Sequence, residues 1–310
     1  MKTETIKLSV LVSTFLVLSA CSKGTESKTP GGEDLIAGNI VGGSLASDTF
    51  QKENGLVALI IETADGQGLC TGTLIAKRIV LTAAHCLDSS SSEIKSIAVV
   101  FAQDVSKAKE ENVRFGVRGK VHELFLSSAG GQGAWNDIAL LKLSEDAPAD
   151  FKLANLPSVV LAPLKPKTSL IQAGFGKTQA SRNSTTDTSG VLKQVSGIEV
   201  IKLINDGKEM HLRENGKGSC NGDSGGPAFV RSASGKLIQV GVNSRGTDPA
   251  SCIGVGVFTT VAPHLAWIKT NSDLLMAEVA EPAPVAAAPA PVAAEPTPAP
   301  TSPTPAPGSI

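Results

Sequence analysis

The sequence predicts an all-β fold, on three observations. Short apolar runs, Leu56 to Ile61, Ile97 to Phe101, Ser169 to Ala173 and Leu237 to Val242, are separated by Gly, Ser and Asp turns, the spacing of strands. Roughly 230 residues between Ile40 and Lys269 are enough for two packed β-barrels with a sizeable core. One stretch reads as a helix: Ala262 to Met276 has Pro263 near its start and Leu265, Ile268 and Leu275 at helical spacing, as in a C-terminal packing helix. The formal net charge of the 310-residue chain is −1 and there is no basic stripe, so nothing points to a nucleic-acid partner.

The chemistry-bearing residues follow in chain order. Apolar runs Leu74 to Ala76 and Ile79 to Leu81 lead into Thr82-Ala83-Ala84-His85-Cys86. His85 is the candidate general base, because imidazole takes up and returns a proton near neutral pH. Asp137 stands at the mouth of the apolar strand Ile138 to Leu143, where a carboxylate can orient that imidazole and stabilise its charged form. Gly222-Asp223-Ser224-Gly225-Gly226-Pro227 joins a candidate nucleophile, Ser224, to a glycine two residues earlier. That glycine lets the main chain aim the N–H groups of Gly222 and Ser224 at a developing oxyanion.

The motifs TAAHC, DIALLKL and GDSGGP, in the order His, Asp, Ser, resemble the trypsin and chymotrypsin family of serine proteases from about Ile40 to Lys269. Subtilisin-like enzymes and α/β-hydrolases carry the same groups in other chain orders. The resemblance implies a chymotrypsin-like pair of six-stranded antiparallel barrels with a C-terminal helix, and a serine endopeptidase with catalytic residues His85, Asp137 and Ser224. Such an enzyme acts on peptides and proteins and needs no cofactor. No metal-ligand spacing is present.

Ile40-Val41-Gly42-Gly43 resembles the mature N-terminus of that family, freed by cleavage of a propeptide. The resemblance implies a zymogen: the new ammonium of Ile40 turns inward to the carboxylate of Asp223 and fixes the oxyanion hole and specificity pocket. Before the cut that amine does not exist, and the loop is expected to adopt another, inactive arrangement. Asn39 precedes the bond instead of the usual Arg or Lys, so an Asn-tolerant activating protease or self-cleavage is required.

By the same resemblance Cys70 pairs with Cys86 and Cys220 with Cys252, bridges that belong to an oxidising compartment. Gly218, six residues before Ser224, stands where trypsin-like members carry aspartate, and Gly246 and Gly256 match the pocket walls. This implies a neutral slot suited to an apolar P1 residue. Asp248 is a candidate to reintroduce charge, and Lys217 borders the floor. Ser244 matches the residue that supports the orienting acid, whereas Arg245 replaces a tryptophan usual in the peptide channel.

The termini read separately. Residues 1–20 read as a signal peptide: Lys2 and Lys7 precede an apolar run, Leu8 to Ala20, too short to span a bilayer. Leu18-Ser19-Ala20-Cys21 resembles a bacterial lipobox, which implies lipidation of Cys21 and accounts for the odd one of five cysteines. Residues 21–39 would be a flexible anchored propeptide, so cutting after Asn39 would both activate the domain, residues 40–275, and release it from the envelope membrane. Residues 276–310 form a Pro/Ala-rich tail, an extended spacer.

Several features read as ordinary: Gly174-Phe175-Gly176-Lys177-Thr178 as a strand segment, Ser127 to Gly133 as a cleft rim, and Asn183-Ser184-Thr185 as a polar loop. His122, His211 and His264 read as surface or packing residues. The alternatives to a peptidase are a non-catalytic surface lipoprotein and a binding module on a protease scaffold.

Overall fold

The computed structural model describes residues 40–90, 92–126, 135–158, 164–179, 188–248, 251–252 and 254–277. The signal segment, Cys21 with its tether, the Pro/Ala tail, and the segments around Ser127 to Gly133 and Asn183 to Thr185 lie outside the described residues.

The chain enters through Ser44–Leu45 (β1) and a short helix, Asp48–Glu53 (α1). Ser47 caps that helix by accepting from the N–H of Phe50 at 3.0 Å. The first barrel is built from Leu56–Thr63 (β2), Gly66–Ala76 (β3), Ile79–Thr82 (β4), Ile94–Val100 (β5), Val113–Val121 (β6) and Ala139–Leu143 (β7). It closes in the order β2-β3-β4-β7-β6-β5, with every pair antiparallel. Leu59, Leu74, Leu81, Ile138, Leu140 and Leu141 fill it and are almost fully buried. Each such side chain contributes roughly 1.5–3 kcal/mol by leaving water.

The second barrel uses Ser169–Gly174 (β8), Lys193–Ile204 (β9), Glu209–Glu214 (β10), Pro227–Arg231 (β11), Leu237–Gly246 (β12) and Gly254–Thr260 (β13). The order β9-β10-β13-β12-β11-β8 is closed by pairing of β8 with β9, and β1 adds to the outer edge of β9. Its core includes Ile198, Val200, Met210, Leu212, Val240 and Phe258, joined by Ile40 from the head of the domain. A shared apolar cluster, with Leu56, Ala58 and Val100 from one barrel and Ala173, Phe175 and Phe229 from the other, welds the two together.

A single 3₁₀ turn, Ala262–His264, leads from β13 into Leu265–Ala277 (α2). Ile268 and Leu275 of α2 are buried in the core of the first barrel, so the helix carries the chain back across from the second. The expected all-β architecture of two six-stranded barrels and a C-terminal helix is the one observed.

Candidate active site

The register of two strands brings the candidate base and its candidate orienting acid together. Thr82, which ends β4, pairs with Ala139, which starts β7. Antiparallel pairing therefore puts His85, three residues beyond one strand, beside Asp137, two residues before the other. Asp137 is fully buried. Its Oδ2 lies 2.8 Å from His85 Nδ1 and accepts from Ser244 Oγ at 2.6 Å, while Oδ1 accepts from the backbone N–H of His85 at 2.9 Å. Its carbonyl accepts from Thr259 Oγ1 at 3.0 Å.

These contacts decide the titration of the pair. Burial penalises a charged imidazole at His85, yet the charge and hydrogen bond of Asp137 outweigh it and hold the pKa above its ordinary value of 6.5. Burial also opposes ionisation of Asp137, but His85, Ser244 and the His85 N–H hold it below the usual carboxylate value. The second barrel thus contributes to the first barrel's dyad through Ser244, on β12.

Ser224 lies in the loop between β10 and β11, which is pinned on both sides. The N–H of Thr71, on β3, donates to Ser224 O at 2.7 Å, and Thr71 Oγ1 donates to Gly222 O at 2.9 Å. Gly225 N–H donates to Asn243 O and Asn243 N–H to Gly226 O, each at 2.8 Å. Gly222 has φ +99°, a left-handed conformation that disfavours any side chain, and a Cβ there would sit 2.9 Å from Gly176 Cα. The strand-like reading of Gly174 to Gly176 missed this close approach. Cys86 Sγ lies 3.8 Å from both His85 Nε2 and Ser224 O, so the bridge beside His85 touches the Ser224 loop as well.

Both cysteine pairs are bridged, Cys70 to Cys86 and Cys220 to Cys252. The cluster Cys70, His85 and Cys86 has its ligand atoms within 4.8 Å of one another, but the two sulfurs are spent in a bridge and make no metal site.

Asp223 and Ile40 are buried at 2% and 1% exposure and border one small internal space with Ser219 and Gly226. Val41 forms a bridge to Gly218, whose N–H donates to Val41 O at 2.8 Å. Asp223 accepts from the N–H groups of Gly176 at 2.7 Å and Cys220 at 2.8 Å. Burial nonetheless pushes its carboxyl up to about 7; the two N–H groups oppose the rise and the negative charge of Glu214 adds to it.

A cavity of about 280 Å³ opens in front of Ser224, bordered by Ser219, Cys220, Ser244, Arg245, Gly246 and Asp248 among others. Arg245 is anchored to the buried Glu209, with Nη1 2.8 Å from Oε1. Gly218 and Gly256 lie around the side chain of Glu214, a residue the sequence reading did not single out. A second, larger groove of about 670 Å³ runs past Gly222, Asn221 and Leu69 between Lys177 and Asp104. His264 is buried, its Nδ1–H donates to Thr260 O at 2.7 Å, its Nε2 lies 3.2 Å from Asn136 Oδ1, and it stacks edge-on against His122, so both act in packing.

The family profile described as Trypsin matches residues 40–268. The chain belongs to the trypsin family. Its matched segment is 28% identical over 228 residues to a chymotrypsin of Phaedon cochleariae, covering 70% of this chain and 77% of the beetle protein. It is 29% identical over 231 residues to coagulation factor XII of Sus scrofa, covering 67% of this chain but 36% of that much longer protein. Among solved structures, the HL collagenase shares the fold with a TM-score of 0.61 and 24% identity, over 76% of this chain and 99% of the collagenase. Trypsin-family membership and the two bridges fit an extracytoplasmic protein that acts on peptides or proteins.

Proposed function

We propose that this trypsin-family chain is a serine endopeptidase made as a zymogen and activated by cleavage between Asn39 and Ile40. The observation that carries the reading is Asp137, buried and bonded at once to the ring and backbone of His85 and to Ser244, in the domain that presents Ser224. A binding module on this scaffold has no use for a carboxylate buried to orient an imidazole.

In the proposed reaction Ser224 Oγ attacks the peptide carbonyl carbon while His85 Nε2 takes its proton. The carbonyl oxygen becomes an oxyanion held by the N–H groups of Gly222 and Ser224. His85 then passes the proton to the leaving amine, the C–N bond breaks, and an acyl-Ser224 ester remains. Water, deprotonated by His85, attacks that ester, and the serine regains its proton as the acid leaves. Asp137 keeps the ring in the tautomer that presents Nε2 to the serine.

The cavity beside Ser224 is the primary pocket, and the groove past Gly222 takes the residues after the scissile bond. Gly246 borders that cavity, and Gly218 and Gly256 stand at the other positions that match the family's pocket, the basis for expecting an apolar P1. Activation brings the ammonium of Ile40 to Asp223, next to which Ile40 already lies buried. Lipidation at Cys21 would tether the precursor to the cell envelope, and cleavage after Asn39 would release the domain.

The test is a peptide library offered to the form beginning at Ile40. Endoproteolysis that disappears in Ser224→Ala, by a factor of about 10⁴ or more, supports the reading. Equal cleavage by Ser224→Ala contradicts it.

A further inference from the structure

The serine that supports Asp137 is itself held in place. Ser244 Oγ donates to Asp137 Oδ2 at 2.6 Å and accepts from Arg245 Nη1 at 3.3 Å. A hydroxyl has one proton and two lone pairs. With a guanidinium N–H on the lone-pair side, the proton of Ser244 must point away from Arg245, and the acceptor it meets there is the carboxylate. Neighbouring side chains of a regular strand point to opposite faces and do not meet. β12 departs from that rule at Ser244: Asn243 stands opposite Phe258 and Arg245 opposite Val257, so two steps along β12 match one along β13 and Ser244 is the extra residue. The bulge is what lets the hydroxyl and the guanidinium of adjacent residues touch.

The guanidinium is anchored in turn. Nη1 carries two N–H groups and serves Glu209 Oε1 at 2.8 Å as well as Ser244, while Nη2 lies 3.5 Å from Glu209 Oε2. Glu209 starts β10, is 1% exposed, and accepts from Asn205 Nδ2 at 2.8 Å. It also stands opposite Thr259, whose Oγ1 donates to Asp137 O. Three adjacent strands of the second barrel, β10, β13 and β12, thus converge on Asp137 through Glu209 with Arg245, Thr259 and Ser244. Arg245 replaces the tryptophan usual at its position, so this arm of the network is a departure from the family pattern.

We propose that Arg245 is a positioning residue of the reaction: anchored on the buried Glu209, it commits the Ser244 hydroxyl to Asp137 and so keeps Asp137 in the place that orients His85. The proposal rests on the endopeptidase reading and extends it by a chain of contacts, Glu209 to Arg245 to Ser244 to Asp137, that reaches His85 from the second barrel. Without the guanidinium the hydroxyl rotates and its bond to Asp137 is made only part of the time. The carboxylate is then less firmly placed, and its charge, less dispersed by hydrogen bonding, holds a proton on His85 more tightly. Arg245 also borders the cavity in front of Ser224, so its effect on the chemical step has to be separated from an effect on binding.

The experiment is a double-mutant cycle on enzyme beginning at Ile40, with active sites counted by a fluorophosphonate titrant and kcat measured at saturating peptide. Arg245→Met is expected to lower kcat about tenfold in the parent enzyme, but by less than about twofold once Ser244 is alanine, because the guanidinium then has no hydroxyl to direct. In the parent background Arg245→Met should also move the acid-side inflection of kcat to higher pH, the mark of a tighter proton on His85. Equal factors in the two backgrounds, an unmoved inflection, or a change confined to KM overturns the proposal. Arg245→Met leaves Glu209 buried without its guanidinium. Should that variant fail to fold, Glu209→Leu and Arg245→Met are made together, an exchange of a buried ion pair for apolar groups that folded proteins tolerate better than the loss of one partner; the cycle with Ser244→Ala is then run on the pair, and the same outcomes decide. A parent enzyme that does not react with the titrant at all refutes the endopeptidase reading itself; one that reacts and gives equal factors refutes only the role of Arg245.

Discussion

Freeing the Ile40 amine is expected to change how stability depends on pH, and the structure sets the size of the effect. In the chain that still carries Asn39, the carboxyl of Asp223 is raised from 3.8 to about 7, chiefly by burial. Raising it that far is worth about 4 kcal/mol, at roughly 1.4 kcal/mol for each tenfold in proton affinity. Its sign follows from proton binding. Between the unfolded and folded values the folded state holds the extra proton, so this stability is fully present below pH 4 and is lost as pH rises through 7. With an ammonium beside it the carboxyl falls, the folded state no longer needs that proton, and the loss disappears. Guanidinium unfolding of Ser224→Ala protein, which cannot digest itself, compares the uncut and Ile40-started forms from pH 4 to 9. The cut form is expected to gain on the uncut one from pH 4 upward, reaching about 4 kcal/mol near pH 8, and the gap closes again once the amine deprotonates. Parallel pH curves for the two forms would refute the pairing of Ile40 with Asp223.

Other outcomes follow from named contacts. Peptidase activity should fall as pH drops through a His85 pKa above 6.5; Asp137→Asn should cut kcat by about 10⁴ and move the inflection lower, as seen in pH–rate profiles. Ser244→Ala removes the 2.6 Å bond to Asp137 and should lower kcat about 10- to 100-fold with KM little changed, measured at saturating peptide. Replacing both Cys70 and Cys86 by serine opens a loop with a separation of 16 residues and should cost about 3 kcal/mol, read from thermal unfolding.

The barrels and the contact of His85 with Asp137 were legible because their signals are local. His85, Asp137 and Ser224 each sit in a short segment whose neighbours announce the role, and strand periodicity places those segments at strand ends. Glu214 was not legible. Nothing near it in sequence says that β10 runs beside β13 with Leu212 opposite Gly256, and only that register brings the acid between two glycines. Gly218 alone reads as a bare pocket floor, whereas in three dimensions the side chain of Glu214 packs against it. The pairing of Arg245 with Glu209 has the same character, since the partners lie 36 positions apart on different strands. Helix α1 was missed for a different reason: six residues hold too little periodicity, and its stability comes from the Ser47 cap and tertiary packing.

The central claim is that Ser224 is an activated nucleophile, and the most direct measurement is the site and stoichiometry of fluorophosphonate labelling in the form beginning at Ile40. The account predicts one label per chain, on Ser224, lost in His85→Ala. Labelling elsewhere, or labelling of Ser224 that persists at full rate in His85→Ala, would contradict it.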